Sequence, residues 1–197
     1  MKVQKYFAEA LGTFLLTMTI FAATQYGGLT PLFIGIGLLV LMYTLGPISG
    51  GHFNPAVTIA LLTRKKLKLQ DGLAYILAQF LGAILGIFLF SYSITIDFSE
   101  FTKQTFNLYE FIGEIVGTFI LLYGVITVVS KKDYSHLSGV IIGFSLMIGI
   151  MIAQGLGSMT ILNPAIAIAF GNASWIYLVA PIIGGTAAVW THRLINE

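Results

Sequence analysis

Apolar residues run in six long blocks along the chain, at roughly 5–24, 32–50, 71–94, 108–130, 137–156 and 174–193. About twenty helical residues at 1.5 Å each cover the ~30 Å hydrocarbon core of a bilayer, so each block predicts a membrane-spanning helix. Two shorter apolar stretches lie between the blocks. One starts at Asn54 and stops at Arg64-Lys65-Lys66, and the other starts at Asn163. About ten residues reach only ~15 Å, half of the core, so both predict half-helices. Each opens with the same triplet, Asn54-Pro55-Ala56 and Asn163-Pro164-Ala165. Asn is a favoured N-cap, and Pro, with a fixed φ and no N–H, suits the first helical position.

Composition agrees with that pattern. Of the 197 residues 57% are hydrophobic and 9% charged, against roughly a quarter charged in soluble domains, and the mean hydropathy is +0.91. This predicts a multi-pass protein of the cell (inner) membrane whose surroundings are the lipid bilayer. The first block reads as a retained span, since no small-residue cleavage site follows it. Lys2, Lys5, Arg64, Lys65, Lys66, Lys68, Lys131, Lys132 and Arg193 fall on one side of an alternating six-span reading, and Lys103 falls on the other. Both termini are therefore expected in the cytoplasm. A formal charge of +2 is too small to suggest a nucleic-acid partner, and the absence of cysteine excludes disulfides and thiolate chemistry.

The chain also repeats itself. Glu9-Ala10-Leu11-Gly12-Thr13-Phe14 in the first span matches Glu114-Ile115-Val116-Gly117-Thr118-Phe119 in the fourth, each ahead of an Asn-Pro-Ala. Three spans separate the copies, and an odd number of crossings reverses direction. The expected fold is thus all-α, six transmembrane helices plus two half-helices, in two inverted repeats covering about 1–94 and 108–197 of a single domain, 1–197. Gly82-Ala83 with Gly86, against Gly184-Gly185, adds a weaker echo in the third and sixth spans. Glu9 and Glu114, carboxylates inside spans, are read as braces that accept hydrogen bonds from backbone N–H groups leading into the half-helices, rather than as proton relays.

The stretch His52-Phe53-Asn54-Pro55-Ala56-Val57-Thr58-Ile59-Ala60, the paired Glu-x-x-Gly-Thr-Phe segments and the second Asn-Pro-Ala resemble the aquaporin, or major intrinsic protein, family, which includes water channels and glycerol facilitators. The resemblance spans nearly the whole chain. It implies a passive pore, assembled as a homotetramer with one pore per subunit, and the same bracing role for the two glutamates. Asn54 and Asn163, at the meeting point of the half-helices, can each donate an amide N–H to a permeant oxygen. Each helix start adds ~+0.5 of a charge, which favours neutral solutes and opposes cations. His52 either lines the cytoplasmic vestibule, as its counterpart does in the family, or packs within its loop. His136 and His192 are read as non-site residues, His192 as a cation suited to the end of the last helix. Glu110 is read as solvated.

One departure bears on selectivity. The family's water channels and glycerol facilitators carry Arg three residues after the second Asn, and this chain has Ile166. Carried over by spacing, the outer selectivity filter is Ile34, Met151, Thr160 and Ile166, almost wholly apolar. Ala167 stands where glycerol facilitators carry Asp, while Tyr177 and Leu178 split between the two subfamily patterns. The expected function is passive transport of water or small neutral solutes, glycerol-like alcohols included. The alternatives are an ion- or proton-coupled secondary transporter using Glu9 or Glu114, and a structural membrane protein with a vestigial pore. No nucleophile, base and orienter recur at useful spacing, so no enzyme, cofactor or metal is expected.

Overall fold

The computed structural model describes residues 2–90 and 106–196, which are mostly helical with no strand among them. In chain order the α-helices are α1 (Lys2–Ala23), α2 (Thr30–Thr44), α3 (Gly46–Ser49), α4 (Pro55–Thr63), α5 (Leu69–Phe90), α6 (Leu108–Ser130), α7 (Ser138–Gly155), α8 (Pro164–Ala169) and α9 (Trp175–Asn196). Lys103 lies outside the described residues. By length and hydropathy the described residues hold five candidate spans, because Val3–Thr44 runs as one stretch of 42 residues. That stretch is two spans. Gly27, at φ 55° and ψ −122°, breaks the helix within the 3-10 turn Thr24–Leu29, and Thr30 Oγ1 ties the next helix to Ala23 O at 2.8 Å. The six spans are α1, α2 extended by α3, α5, α6, α7 and α9, with α4 and α8 as the half-helices.

Packing repeats in the two halves. α1 packs on α5 as α6 packs on α9, α1 on α2 as α6 on α7, and α2 meets α7 where the halves join. The half-helices are exchanged: α4 also lies on α9, and α8 on α5. Apolar side chains give no preference for helix over lipid tail, so association depends on close backbone approach at small residues. Gly82 and Gly184 supply it. A Cβ on Gly82 would stand 2.1 Å from Ala10 O, and one on Gly184 would stand 2.1 Å from Ile115 O. Gly35 and Gly143 likewise face each other's carbonyl oxygens across the α2–α7 contact. Leu69, Leu73, Leu77, Leu81 and Leu85 form an exposed stripe at four-residue spacing on α5, the face a helix turns to hydrocarbon.

Gly184→Ala drives a methyl into the backbone of α6, and overpacking of this kind costs about 1–3 kcal/mol. A thermal unfolding series monitored by size-exclusion chromatography should show a clear loss of stability for this variant. Gly155→Ala, where nothing lies within 4 Å of the added Cβ, should be neutral or slightly stabilising.

Candidate functional site

Both half-helices start and stop by the same local rules. Asn54 is extended (φ −156°, ψ 123°) and its side-chain oxygen accepts from Ala56 N at 2.8 Å; Asn163 (φ −150°, ψ 109°) accepts from Ala165 N at 3.0 Å. Pro55 and Pro164 take the first helical positions. At the other ends, Lys65 (φ 53°) and Gly171 (φ 76°) turn left-handed, with Lys66 N on Leu61 O and Asn172 N on Ala167 O closing the caps. The amide nitrogens of the two caps then cross over. Asn54 Nδ2 donates to Leu162 O at 2.8 Å, and Asn163 Nδ2 donates to Phe53 O at 2.9 Å. Each carboxamide carries two N–H donors, so one per residue is used in the crossing.

The acceptor carbonyls belong to residues in left-handed backbone, Phe53 at φ 47° and Leu162 at φ 53°. For side chains of this size that conformation costs on the order of 1–3 kcal/mol and needs support from its surroundings. The support comes from the buried glutamates. Glu9 Oε1 accepts from Ser49 Oγ (2.6 Å) and His52 N (3.0 Å), and Oε2 accepts from Phe53 N (2.8 Å). Glu114 Oε1 accepts from Ser158 Oγ and from Ile161 N (2.9 Å), and Oε2 accepts from Leu162 N (2.7 Å). Three residues further along each span a glycine receives the strained residue's side chain. A Cβ on Gly12 would lie 2.0 Å from the Phe53 ring, and one on Gly117 would lie 2.7 Å from Leu162 Cδ2. The spacing Glu-x-x-Gly therefore has a physical reading: one turn of helix carries both the acceptor for the loop amides and the recess for the loop side chain.

The halves differ around this shared plan. Behind Glu9, Gln79 Nε2 donates to Glu9 Oε2 (2.7 Å) and to Thr58 Oγ1 (3.0 Å), which lies 3.0 Å from His52 Nδ1. The His52 ring also packs edge-on against Tyr75 at 5.1 Å. In the second half the matching positions are Pro181, Ala167 and Ile161, and the polar chain is missing. Glu110 is a correction to the sequence reading: it is half-buried, and its oxygens accept from Tyr177 OH and from Asn107 Nδ2, each at 3.0 Å. His192 is also corrected, being 2% exposed with its ring edge-on to Tyr123 rather than presented at a solvated helix end.

A cavity of about 250 Å³ runs past the crossing, lined among others by Asn54, Asn163, Ile34, Ile150, Thr160 and Ile166. Of the outer set named from spacing, Ile34, Thr160 and Ile166 stand on its wall. Met151 does not: it is 56% exposed, beside the outward stripe Val140, Phe144, Ile148 and Ile152, and Ile150 takes the inward place. One helical residue is a 100° rotation, and no motif within α7 pins the register. Ile142, Leu146 and Ile150 on the wall share the four-residue spacing that could have found it. No Asp, Glu, Lys or Arg side chain among the described residues lines this cavity. A second cavity, about 550 Å³, opens towards the ends rich in lysine and arginine and is lined by Lys66, His136 and Ser135 among others. His52 belongs to both walls, and so do Gly51 and Val57. His136, set aside in the sequence reading, thus stands at a cavity mouth.

The profile of the major intrinsic protein family matches residues 1–192. The chain belongs to that family. Major intrinsic proteins are passive channels rather than enzymes, and this multi-pass membrane member is a channel for water or small solutes. Its similar relatives include nodulin-26 of Glycine max, 32% identical over 98% of this chain and 78% of that one. Another is the glycerol uptake facilitator protein-like 6 of Lactiplantibacillus plantarum, 34% identical over 99% of each chain. Among solved structures, the aquaglyceroporin from Plasmodium falciparum shares the fold with a TM-score of 0.69, at 23% identity over 98% of this chain and 96% of that one.

Removing the glutamate that braces a loop of this family member has a calculable consequence. Glu114→Ala leaves the Ile161 and Leu162 amides without an acceptor, at about 1–3 kcal/mol for each unmet buried group. Thermal unfolding should show a large loss for Glu114→Ala and a smaller one for Glu114→Gln, which keeps an acceptor oxygen.

Proposed function

We propose that this chain conducts small neutral solutes with hydroxyl groups, alcohols of glycerol size among them, with water as a co-permeant. It works as a homotetramer of single-domain subunits with one pore each and both termini in the cytoplasm. The observation that carries the reading is the cavity wall: apolar side chains from four spans, two Asn caps, and no charged side chain among the described residues. A hydroxyl oxygen passing the crossing accepts the remaining N–H of Asn54 or Asn163 while its carbon skeleton slides along Leu16, Leu38, Leu121 and Leu146. The half-helix starts, each carrying ~+0.5 of a charge, raise the energy of a cation at the same point. Ile166, 2% exposed and packed against Ala83 and Ile87, offers neither the charge nor the N–H donors that Arg would bring. That favours less polar solutes over strict selection for water. The relative named a glycerol uptake facilitator protein agrees with this direction.

A coupled transporter using Glu9 or Glu114 would need that carboxylate on the path. Glu9 and Glu114 are 0% exposed, have both oxygens engaged by their loops, and line neither cavity, which counts against that reading. Stopped-flow light scattering of proteoliposomes under glycerol, urea and water gradients tests the proposal on the wild type. Ile166→Arg extends the test to the filter. In protein of unchanged assembly it should raise the water-to-glycerol permeability ratio about tenfold, equivalent to ~1.4 kcal/mol of differential barrier. An unchanged ratio would remove Ile166 from the filter.

A further inference from the structure

Polar side chains are few on the wall of the central cavity, and most of them are already committed. Asn54 and Asn163 spend their oxygens on Ala56 N and Ala165 N, and one N–H each on the crossing. Thr24 Oγ1 donates to Phe21 O at 2.6 Å, Thr30 Oγ1 donates to Ala23 O at 2.8 Å, and His52 Nδ1 lies 3.0 Å from Thr58 Oγ1. Two others stand on the same wall, Thr160 and Asn172. Neither the Thr160 hydroxyl nor the Asn172 carboxamide bonds another of the described residues, and neither is sealed inside the protein. Thr160 belongs to the outer set named from spacing, whereas Asn172 was not in it. Its place follows from α8. That half-helix starts at the crossing, and its six residues run back towards the face on which α7 ends and α9 begins. At 1.5 Å per residue they cover about 9 Å. Gly171 (φ 76°) then turns the chain, and Asn172 N bonds Ala167 O at 2.8 Å, which fixes Asn172, half-buried, at the mouth on that face.

We propose that Asn172 is a specificity-determining residue for polyols, whose hydroxyl groups bond its carboxamide in place of water as they enter the apolar part of the cavity. The inference rests on the function proposed above. A carboxamide sets an acceptor oxygen beside two N–H donors. Neighbouring hydroxyls offer a donor and an acceptor side by side, so one Asn meets two of them at once. The same wall carries Ile34, Ile150, Ile166 and Phe170, which offer a side-chain hydrogen bond to no solute. Where Arg would have supplied N–H donors together with a charge, Asn172 supplies donors without one. Lost hydration is replaced and the path stays neutral. Water keeps its bonds to the waters before and behind it, and so depends on Asn172 less than a polyol does.

Asn172→Leu keeps the approximate size of the side chain and removes its polar atoms, while Asn172→Gln keeps the carboxamide. Glycerol and water permeabilities of the full chain and its variants can be compared in proteoliposomes, with assembly checked by size-exclusion chromatography. Asn172→Leu should lower glycerol permeability roughly tenfold, as loss of two hydrogen bonds at a barrier implies, and leave water permeability nearly unchanged. Asn172→Gln should keep most of the glycerol flux. Asn172→Ala, smaller still, guards against a Leu variant that fails to assemble and should lower the glycerol-to-water ratio in the same direction. The inference is overturned if the assembled Leu or Ala variant leaves that ratio unchanged, if both permeabilities fall together, or if Asn172→Gln loses as much glycerol flux as Asn172→Leu. Any of these results beside normal wild-type glycerol flux sinks this inference alone. A wild type that passes water but no glycerol sinks the function proposed above, and this inference with it.

Discussion

Two hydrogen bonds at the centre of the molecule, Asn54 Nδ2 to Leu162 O and Asn163 Nδ2 to Phe53 O, constrain everything around them. They require two helix starts to meet head to head inside a bilayer, where an unpaired backbone group costs several kcal/mol. Irregular backbone at that depth survives only if each amide and carbonyl finds a partner within the protein. The two glutamates, buried in helices that pass beside the loops, provide those partners, and the glycines one turn later provide the room. Chain reversal between repeats follows from the same requirement, because two half-helices can meet by their starts only if they enter from opposite faces.

The pore inherits its chemistry from this arrangement. Cap residues whose oxygens are spent on their own helices and whose amide groups reach across the crossing present donors rather than acceptors. Donors, together with the positive ends of the half-helices, suit an uncharged solute with oxygen lone pairs. Around them the wall is mostly aliphatic, and where Arg would supply a strong fixed charge the chain has Ile166 in an apolar cluster with Ala83, Ile87 and Ala169, flanked by Phe21, Phe80 and Phe170. On the function proposed above, selection by size and polarity takes the place of selection by a fixed charge.

Much of this was legible before any coordinates. Hydropathy gave the spans because bilayer thickness sets their length, and the Asn-Pro-Ala triplets gave the half-helices because capping is a local rule. Glu9 and Glu114 were legible because a repeated carboxylate in a lipid-crossing segment needs a repeated reason. Facing was harder. Met151 was named where Ile150 points inward, since a span buried in protein on one side and lipid on the other is apolar all round and shows little periodicity. Gln79 was passed over although it is a polar residue in mid-span; its partners, Glu9 and Thr58, sit far away in sequence, and only the fold joins them. Glu110 looked solvated because its partner Tyr177 lies on another helix.

The central proposal is that the crossed Asn caps make a passive path for neutral solutes, with no proton coupled to their passage. Glycerol flux and internal pH can be followed together in proteoliposomes loaded with a pH-sensitive dye, for the wild type and for a correctly assembled Asn163→Asp variant. In that variant a carboxylate replaces the donor that bonds Phe53 O and puts a negative charge at the crossing. The account predicts wild-type glycerol flux that follows the glycerol gradient alone with internal pH constant, and proton leakage in the variant. Wild-type flux that saturates, requires a pH gradient or carries protons with it would contradict the account.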